Sequence, residues 1–113
     1  MRRTLSTLTL LACTLPMTAA AIDTRRLSVV EENHARIEHA GRRYVLDSYI
    51  VLFQRPYYVL VREDDGRAMT LEQAEAVAVA YIAPRGCTTP IERRRDLDRA
   101  SDDRTEWLLG IEC

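Results

Sequence analysis

Two cysteines, Cys87 and Cys113, enclose the C-terminal segment of the chain and limit how that segment can fold. A polar cluster at residues 100–104 lies midway between them, where a segment that folds back on itself would turn. A hairpin there brings the two thiols together, and in an oxidising compartment an even cysteine count predicts a disulfide. A redox or metal role would need a Cys-x-x-Cys motif or a Cys/His cluster, and the chain has neither. We therefore predict one structural disulfide, with neither a metal site nor a cofactor.

The N-terminus predicts that the chain is exported into such a compartment. Arg2 and Arg3 form a short cationic head, and residues 4–15 are apolar apart from Ser and Thr. The small side chains of Ala19 and Ala21 then stand where a bacterial-type signal peptidase requires them. The apolar run is shorter than the ~20 residues that span a bilayer, so a cleavable signal is favoured over a membrane anchor.

We expect cleavage after Ala21, or one residue earlier. Residues 1–21 would then be a removable signal peptide, and residues 22–113 a single small domain, periplasmic or secreted, without a transmembrane segment. A lipid-anchored envelope protein is an alternative, because the residues that end at Cys13 are similar to a lipoprotein signal. Leu11 is bulky for its place in such a signal, so simple cleavage is favoured.

The rest of the chain alternates strand-like runs with turn signals and contains one helical segment. Thr70 and Gln73 have the spacing of a capping box, apolar residues then recur at helical spacing, and Pro84 ends the segment. We predict an α+β fold of two layers: a mainly antiparallel sheet of five or six strands with one helix packed across it, closed by one disulfide. The strand-like runs are residues 26–30, 35–39, 42–46, 49–53, 57–61, 91–97 and 106–113.

Charge excludes some partners. The chain has 16 basic residues, all of them Arg, against 17 acidic ones, for a net charge of −1. This near balance gives no reason to expect nucleic acid as a partner. The densest positive cluster is Arg93-Arg94-Arg95, and aspartates adjoin it. Cross-strand ion pairs on a solvated hairpin are the simpler interpretation of this cluster, and a binding patch for an acidic partner is the other.

Aromatic residues concentrate in residues 49–61, which we predict to be the central hairpin. Tyr57 and Tyr58 are adjacent and must face opposite sides of a strand, and Tyr49 belongs to a run that is apolar on both sides. One helix cannot cover both faces of such a sheet. The second hairpin could cover the other face; otherwise an aromatic surface is exposed, as is usual for partner or ligand sites.

The two histidines, His34 and His39, support an alternative function. On a regular strand they point to opposite faces, so they cannot share a metal ion unless the strand is bulged. An exported enzyme, or an enzyme subunit, could use either of them as acid/base, oriented by Asp47 or Glu38. No Ser or Cys nucleophile stands in a recognisable motif beside them.

The favoured prediction is a small exported binding or accessory protein without catalytic activity. Its partner would be another envelope protein, and inhibition of an exported enzyme is one form that such binding could take. The candidate binding residues, from the central hairpin and the Arg-rich hairpin, are Tyr49, Arg55, Tyr57, Tyr58, Arg93, Arg94 and Arg95.

Overall fold

A computed structural model describes residues 21–85 and 87–113. Cys13 and all of the predicted signal peptide except Ala21 lie outside the described residues. The described chain forms five strands and one helix: β1 (Ser28–His39), β2 (Arg42–Ile50), β3 (Tyr57–Glu63), α1 (Leu71–Ile82), β4 (Glu92–Ala100) and β5 (Glu106–Glu112).

The five strands form one antiparallel sheet in the order β1-β2-β3-β5-β4, and α1 packs on one of its faces. The predicted α+β fold is therefore confirmed, with five strands. Cys87 and Cys113 form the predicted disulfide, which ties the segment after α1 to the end of β5 across a Cα–Cα distance of 5.2 Å. Within the part of the chain that the structure describes, no helix is long and apolar enough to cross a membrane.

The helix begins as its sequence predicts. The Gln73 backbone N–H donates to Thr70 Oγ1 at 3.2 Å, and the Thr70 N–H donates to Gln73 Oε1 at 2.9 Å, which completes the capping box. Ala74, Val77 and Tyr81 face the sheet and are buried, whereas the alanines on the outer side of the helix are exposed. The core between helix and sheet adds Tyr44, Leu46, Val59, Val61, Met69, Ala78, Ile82, Leu109 and Ile111.

Strand β2 differs from its prediction. The sequence predicted two runs interrupted by Asp47-Ser48, but both residues lie within one continuous strand, where they pair with Leu60 and Val59 of β3. The sheet ladder on both sides of β2 outweighs the turn preference of these two polar residues. The strand then ends at Ile50, so the prediction that it continues to Phe53 was wrong.

The second hairpin, β4 with β5, extends the sheet at its edge and does not fold over it. The sheet surface opposite α1, here called the back face, includes Tyr49 and Tyr58, which are direct cross-strand partners. Residues 22–27, here called the N-terminal strap, cross this face from the start of β5 to the start of β1.

Candidate functional site

The connection between β2 and β3, residues 51–56, carries the most exposed large apolar side chains among the described residues; we call it the β2–β3 tip. Phe53 is 106% exposed and Leu52 65% exposed. The Gln54 backbone N–H donates to the Val51 carbonyl at 3.0 Å, which closes a tight turn with Leu52 and Phe53 at its corner. A solvated aromatic side chain therefore stands at the outermost point of a short, hydrogen-bonded turn.

The backbone of Phe53 is held in an unfavourable region. Its φ is +66°, the left-handed conformation that favours glycine and costs other residues roughly 1–2 kcal/mol. Burial of the ring does not offset this cost, since the side chain is fully exposed. Exposed strain of this kind is typical of positions used for function, since it holds a side chain in place for a contact that the free chain does not make.

A groove of about 740 Å³ lies beside the tip. Its apolar lining includes Ile50 and Tyr57, and its far wall is formed by residues 88–90. The disulfide holds that wall in place, because Cys113 lines the groove and is bonded to the residue that precedes Thr88. Charged and amide side chains complete the lining: Gln54, Arg55, Glu92 and Glu112.

The predicted binding residues of the central hairpin divide between two surfaces. Arg55 and Tyr57 line the groove beside the tip. Tyr49 and Tyr58 lie on the back face, where both are half-buried. The structure therefore brings Arg55 and Tyr57 together with the exposed Phe53, and it separates them from the other two tyrosines.

Arg93 lies inside an ion-pair network. Its side chain is 11% exposed and donates to Asp98 Oδ2 at 2.6 Å, to Glu75 Oε2 of α1 at 3.2 Å, and to the carbonyl of Gly110. Arg93 thus joins β4 to β5 and to the helix. Because its guanidinium donates to all three of these groups, Arg93 is placed to stabilise the fold and not to bind another protein.

The other two arginines of the cluster are also paired. Arg94 donates to Asp96 and to Glu112 of β5, at 3.0 and 3.3 Å. Its hydrogen bonds lower the pKa of Asp96, while Asp96 and then Glu112 raise the pKa of Arg94. Arg95 is 69% exposed and lies 3.6 Å from Glu75 Oε1. These contacts neutralise much of the positive charge of the hairpin.

The two predicted histidines are separated by the sheet. His34 Nδ1 lies 2.5 Å from Asp47 Oδ1, so one of the predicted histidine–carboxylate pairs is formed. His39 pairs in register with Arg42, which places it on the opposite face of the sheet. His34 is exposed and is not among the residues that line the groove beside the tip. The described residues contain no group of three or more His, Cys, Asp or Glu side chains that could hold a metal ion.

A second cavity, of about 500 Å³, lies between the N-terminal strap and the back face. Its floor includes Tyr58 and Leu108, and the strap supplies one wall. Arg25 in that wall donates two hydrogen bonds from its guanidinium and one from its backbone N–H to the carboxylate of Asp23; these bonds, the guanidinium ones first, lower the pKa of Asp23 to about 2. The sequence interpretation missed this arrangement, because a short mixed segment carries no signal for crossing a sheet.

No protein-family model, curated protein or solved structure matches this chain.

Proposed function

We propose that this protein is a small exported binding protein that uses the β2–β3 tip to hold another protein of the cell envelope. Inhibition of an exported enzyme, whose cleft would receive Phe53, is the form that best fits the shape of the tip. The observation that carries the proposal is the fully exposed Phe53 side chain on a left-handed backbone. The export signal and the partner's location are part of the same proposal.

The tip has a clear source of binding energy. Burying a large apolar side chain is worth about 1.5–3 kcal/mol, and the tip offers two, Leu52 and Phe53. Neither contributes much burial within the chain itself, so a partner cleft would gain most of this energy. The polar and charged residues of the adjoining groove would form the rim that usually surrounds such an apolar centre.

The tip is also held firmly. It is anchored by β2 and β3, is closed by the Val51–Gln54 hydrogen bond, and ends in Pro56, which fixes its own φ. The disulfide fixes the facing wall of the groove. A loop that is ordered before binding loses less conformational entropy when the complex forms.

The test has two steps. The oxidised chain, residues 22–113, is first used as bait in an envelope extract of its own host, and captured proteins are identified by mass spectrometry. The dissociation constant of the purified pair is then measured by titration calorimetry for the wild type and for Phe53→Ala. We expect Phe53→Ala to weaken binding at least tenfold, as for a residue at the centre of an interface.

Val29→Ala is the matched control. Val29 is 48% exposed, on edge strand β1 opposite Tyr49, and its substitution deletes an exposed apolar side chain that is not part of the tip. We expect it to change the dissociation constant less than twofold. Equal effects of Phe53→Ala and Val29→Ala would contradict the proposal. Comparing Tyr57→Ala with Arg94→Ala tests which hairpin binds the partner. Of the two residues only Tyr57 lines the groove, so Tyr57→Ala should weaken binding more.

One observation favours a second candidate, an exported enzyme: the 2.5 Å contact between His34 and Asp47. A carboxylate in this position would orient the imidazole for acid/base work. If the captured partner or ligand is chemically altered on incubation, His34→Ala should stop that change. The binding proposal expects no chemical change, and an unaltered dissociation constant for His34→Ala.

A further inference from the structure

The residue expected to begin the mature chain directs its backbone nitrogen at a carboxylate. Ile22 N lies 3.3 Å from Glu106 Oε2, at the start of β5, and both residues are half-buried. Signal-peptide cleavage after Ala21 would convert this same nitrogen from a peptide N–H into an α-ammonium group. The sequence pattern that selects the cleavage position and the contact in the fold are independent observations.

We propose that Glu106 is the binding site for the α-ammonium group that processing at the Ala21–Ile22 bond creates, and that this ion pair fixes the N-terminal strap on the back face. The proposal rests on the export part of the proposed function and does not depend on the partner. The ligand of Glu106 is thus the chain's own new terminus.

The chemistry of processing changes the strength of this contact. Hydrolysis breaks the C–N bond between Ala21 and Ile22; the hydroxyl of water goes to the Ala21 carbonyl carbon and its proton to the Ile22 nitrogen. Transfer of the resulting acid proton leaves a carboxylate on Ala21 and an ammonium on Ile22. A neutral N–H already makes a charge-assisted hydrogen bond with a carboxylate, and an ammonium donor adds the attraction between two opposite charges and shortens the N···O distance to about 2.7–2.9 Å.

Glu106 is available for this role. Within the described chain no salt bridge includes Glu106, and its carboxylate accepts a hydrogen bond from the Ile22 backbone N–H. Its cross-strand neighbour on the back face is Arg62. The other acid to consider, Asp23 on the strap itself, already accepts three hydrogen bonds from Arg25. Among the described residues, Glu106 therefore supplies the carboxylate that the Ile22 nitrogen contacts.

Fixing Ile22 has a consequence for the back face. The strap forms one wall of the cavity above Tyr58 and Leu108, so anchoring its first residue keeps that wall closed. The ion pair would hold the strap at Ile22, at the end opposite to its covalent connection with β1. We expect the N-terminal strap to be more ordered in the processed chain than in a chain that keeps residues before Ile22.

The composition of the chain allows a direct test. Every basic residue is Arg, so after processing the α-amino group of Ile22 is the only primary amine. The oxidised chain 22–113 is released from a fusion by a protease that leaves Ile22 first, and is reacted with an amine-specific succinimidyl ester. The labelling rate is followed by intact mass. We expect labelling about threefold to fivefold slower in the wild type than in Glu106→Gln, as for a partly screened ion pair.

Two controls make the result decisive. Glu38→Gln removes an exposed carboxylate from β1 and should label at the wild-type rate, and all chains should label equally in denaturant. Equal rates for native wild type and Glu106→Gln overturn the proposal. Since Glu106→Gln could alter folding, Nα-acetylation of the wild type gives a second measurement: it should raise the unfolding equilibrium constant about threefold, and a change below 1.5-fold would also overturn the proposal.

The N-terminal residue of the protein isolated from its host separates the two proposals. A chain that keeps residues 1–21 overturns export and this inference together. A chain that begins at Ile22 but labels at the rate of Glu106→Gln overturns only the role of Glu106. Loss of partner binding in Phe53→Ala, by contrast, bears on the tip alone.

Discussion

Replacing Phe53 by Gly should make the free protein more stable and the complex weaker. Glycine adopts a φ of +66° without the steric cost that Phe53 bears there. The Phe53 ring is fully exposed, so its removal forfeits no burial within the chain. A substitution that increases stability while it abolishes binding is the expected signature of a residue kept for contact with a partner.

The expected change in the free energy of unfolding for Phe53→Gly is the difference between two opposing contributions. Relief of the left-handed conformation gains roughly 1–2 kcal/mol, and the greater freedom of glycine in the unfolded chain returns about 0.5–1 kcal/mol of that gain. Taking the middle of each range, the net stabilisation is ~0.75 kcal/mol. For a domain of this size such a change raises Tm by roughly 2–8 °C. Thermal unfolding followed by circular dichroism resolves a shift of this size.

Ala40→Gly calibrates the measurement. Ala40 has a φ of +50° in the β1–β2 turn, beside Gly41 at +79°, a pairing typical of two-residue hairpin turns. Its substitution relieves the same conformation without deleting a large side chain, so it should raise Tm and leave partner binding unchanged. The reasoning is refuted if Ala40→Gly raises Tm while Phe53→Gly lowers it, since the Phe53 ring would then support the fold itself.

Two further predictions concern the C-terminal hairpin. Arg93→Met should lower the free energy of unfolding by ~2–3 kcal/mol in urea titrations, because it leaves the Asp98 carboxylate, which is only 11% exposed, without its cation. Arg95→Met, at a position that is 69% exposed, should cost less than ~0.5 kcal/mol, and similar losses for both would contradict the buried network. Hydrogen bonds from Thr105, first from its side chain, lower the pKa of Asp103 below its ordinary value of 3.8. The stabilisation from ionised Asp103 is therefore complete above that value and is lost as the pH falls through the lowered pKa. In urea titrations, the stability difference between wild type and Asp103→Asn should narrow from pH 5 to pH 2, and a constant difference would exclude this linkage.

The features predicted well from the sequence are those set by near neighbours in the chain. The capping box needs only Thr70 and Gln73, three residues apart, and it forms as predicted. The β4–β5 turn was expected at the polar cluster of residues 100–104, where the Ser101 backbone N–H donates to the Glu106 carbonyl at 3.0 Å. That turn brings Cys87 and Cys113 within bonding reach.

Features that depend on distant parts of the fold were not predictable in the same way. The sequence around Ser48 predicted an interruption between two strands. Ser48 is instead buried in the middle of β2, because strands pair on both sides of it. Residues 51–53 are as apolar as a buried strand, and only the end of the β2–β3 ladder places Phe53 in solvent. The path of the N-terminal strap likewise depends on Glu106, far along the chain.

The disulfide links stability to the proposed binding site. Closing a loop with a sequence separation of 26 should stabilise the fold by about 3.5 kcal/mol through the unfolded chain. In the folded protein the same bond holds residues 88–90 against the groove beside the tip. Replacing Cys87 and Cys113 by Ser should therefore reduce stability in urea and also weaken the partner complex several-fold, at a temperature where the variant remains folded.

These two effects have separable causes. If stability falls by the expected amount and the dissociation constant is unchanged, the disulfide acts only on the unfolded chain, and the tip binds without the facing wall. If both change, the groove belongs to the interface, and its contribution can be compared with that of Phe53→Ala. The tip, held by β2 and β3, and the facing wall, held by the disulfide, would then form one binding surface that loses little conformational entropy when the complex forms.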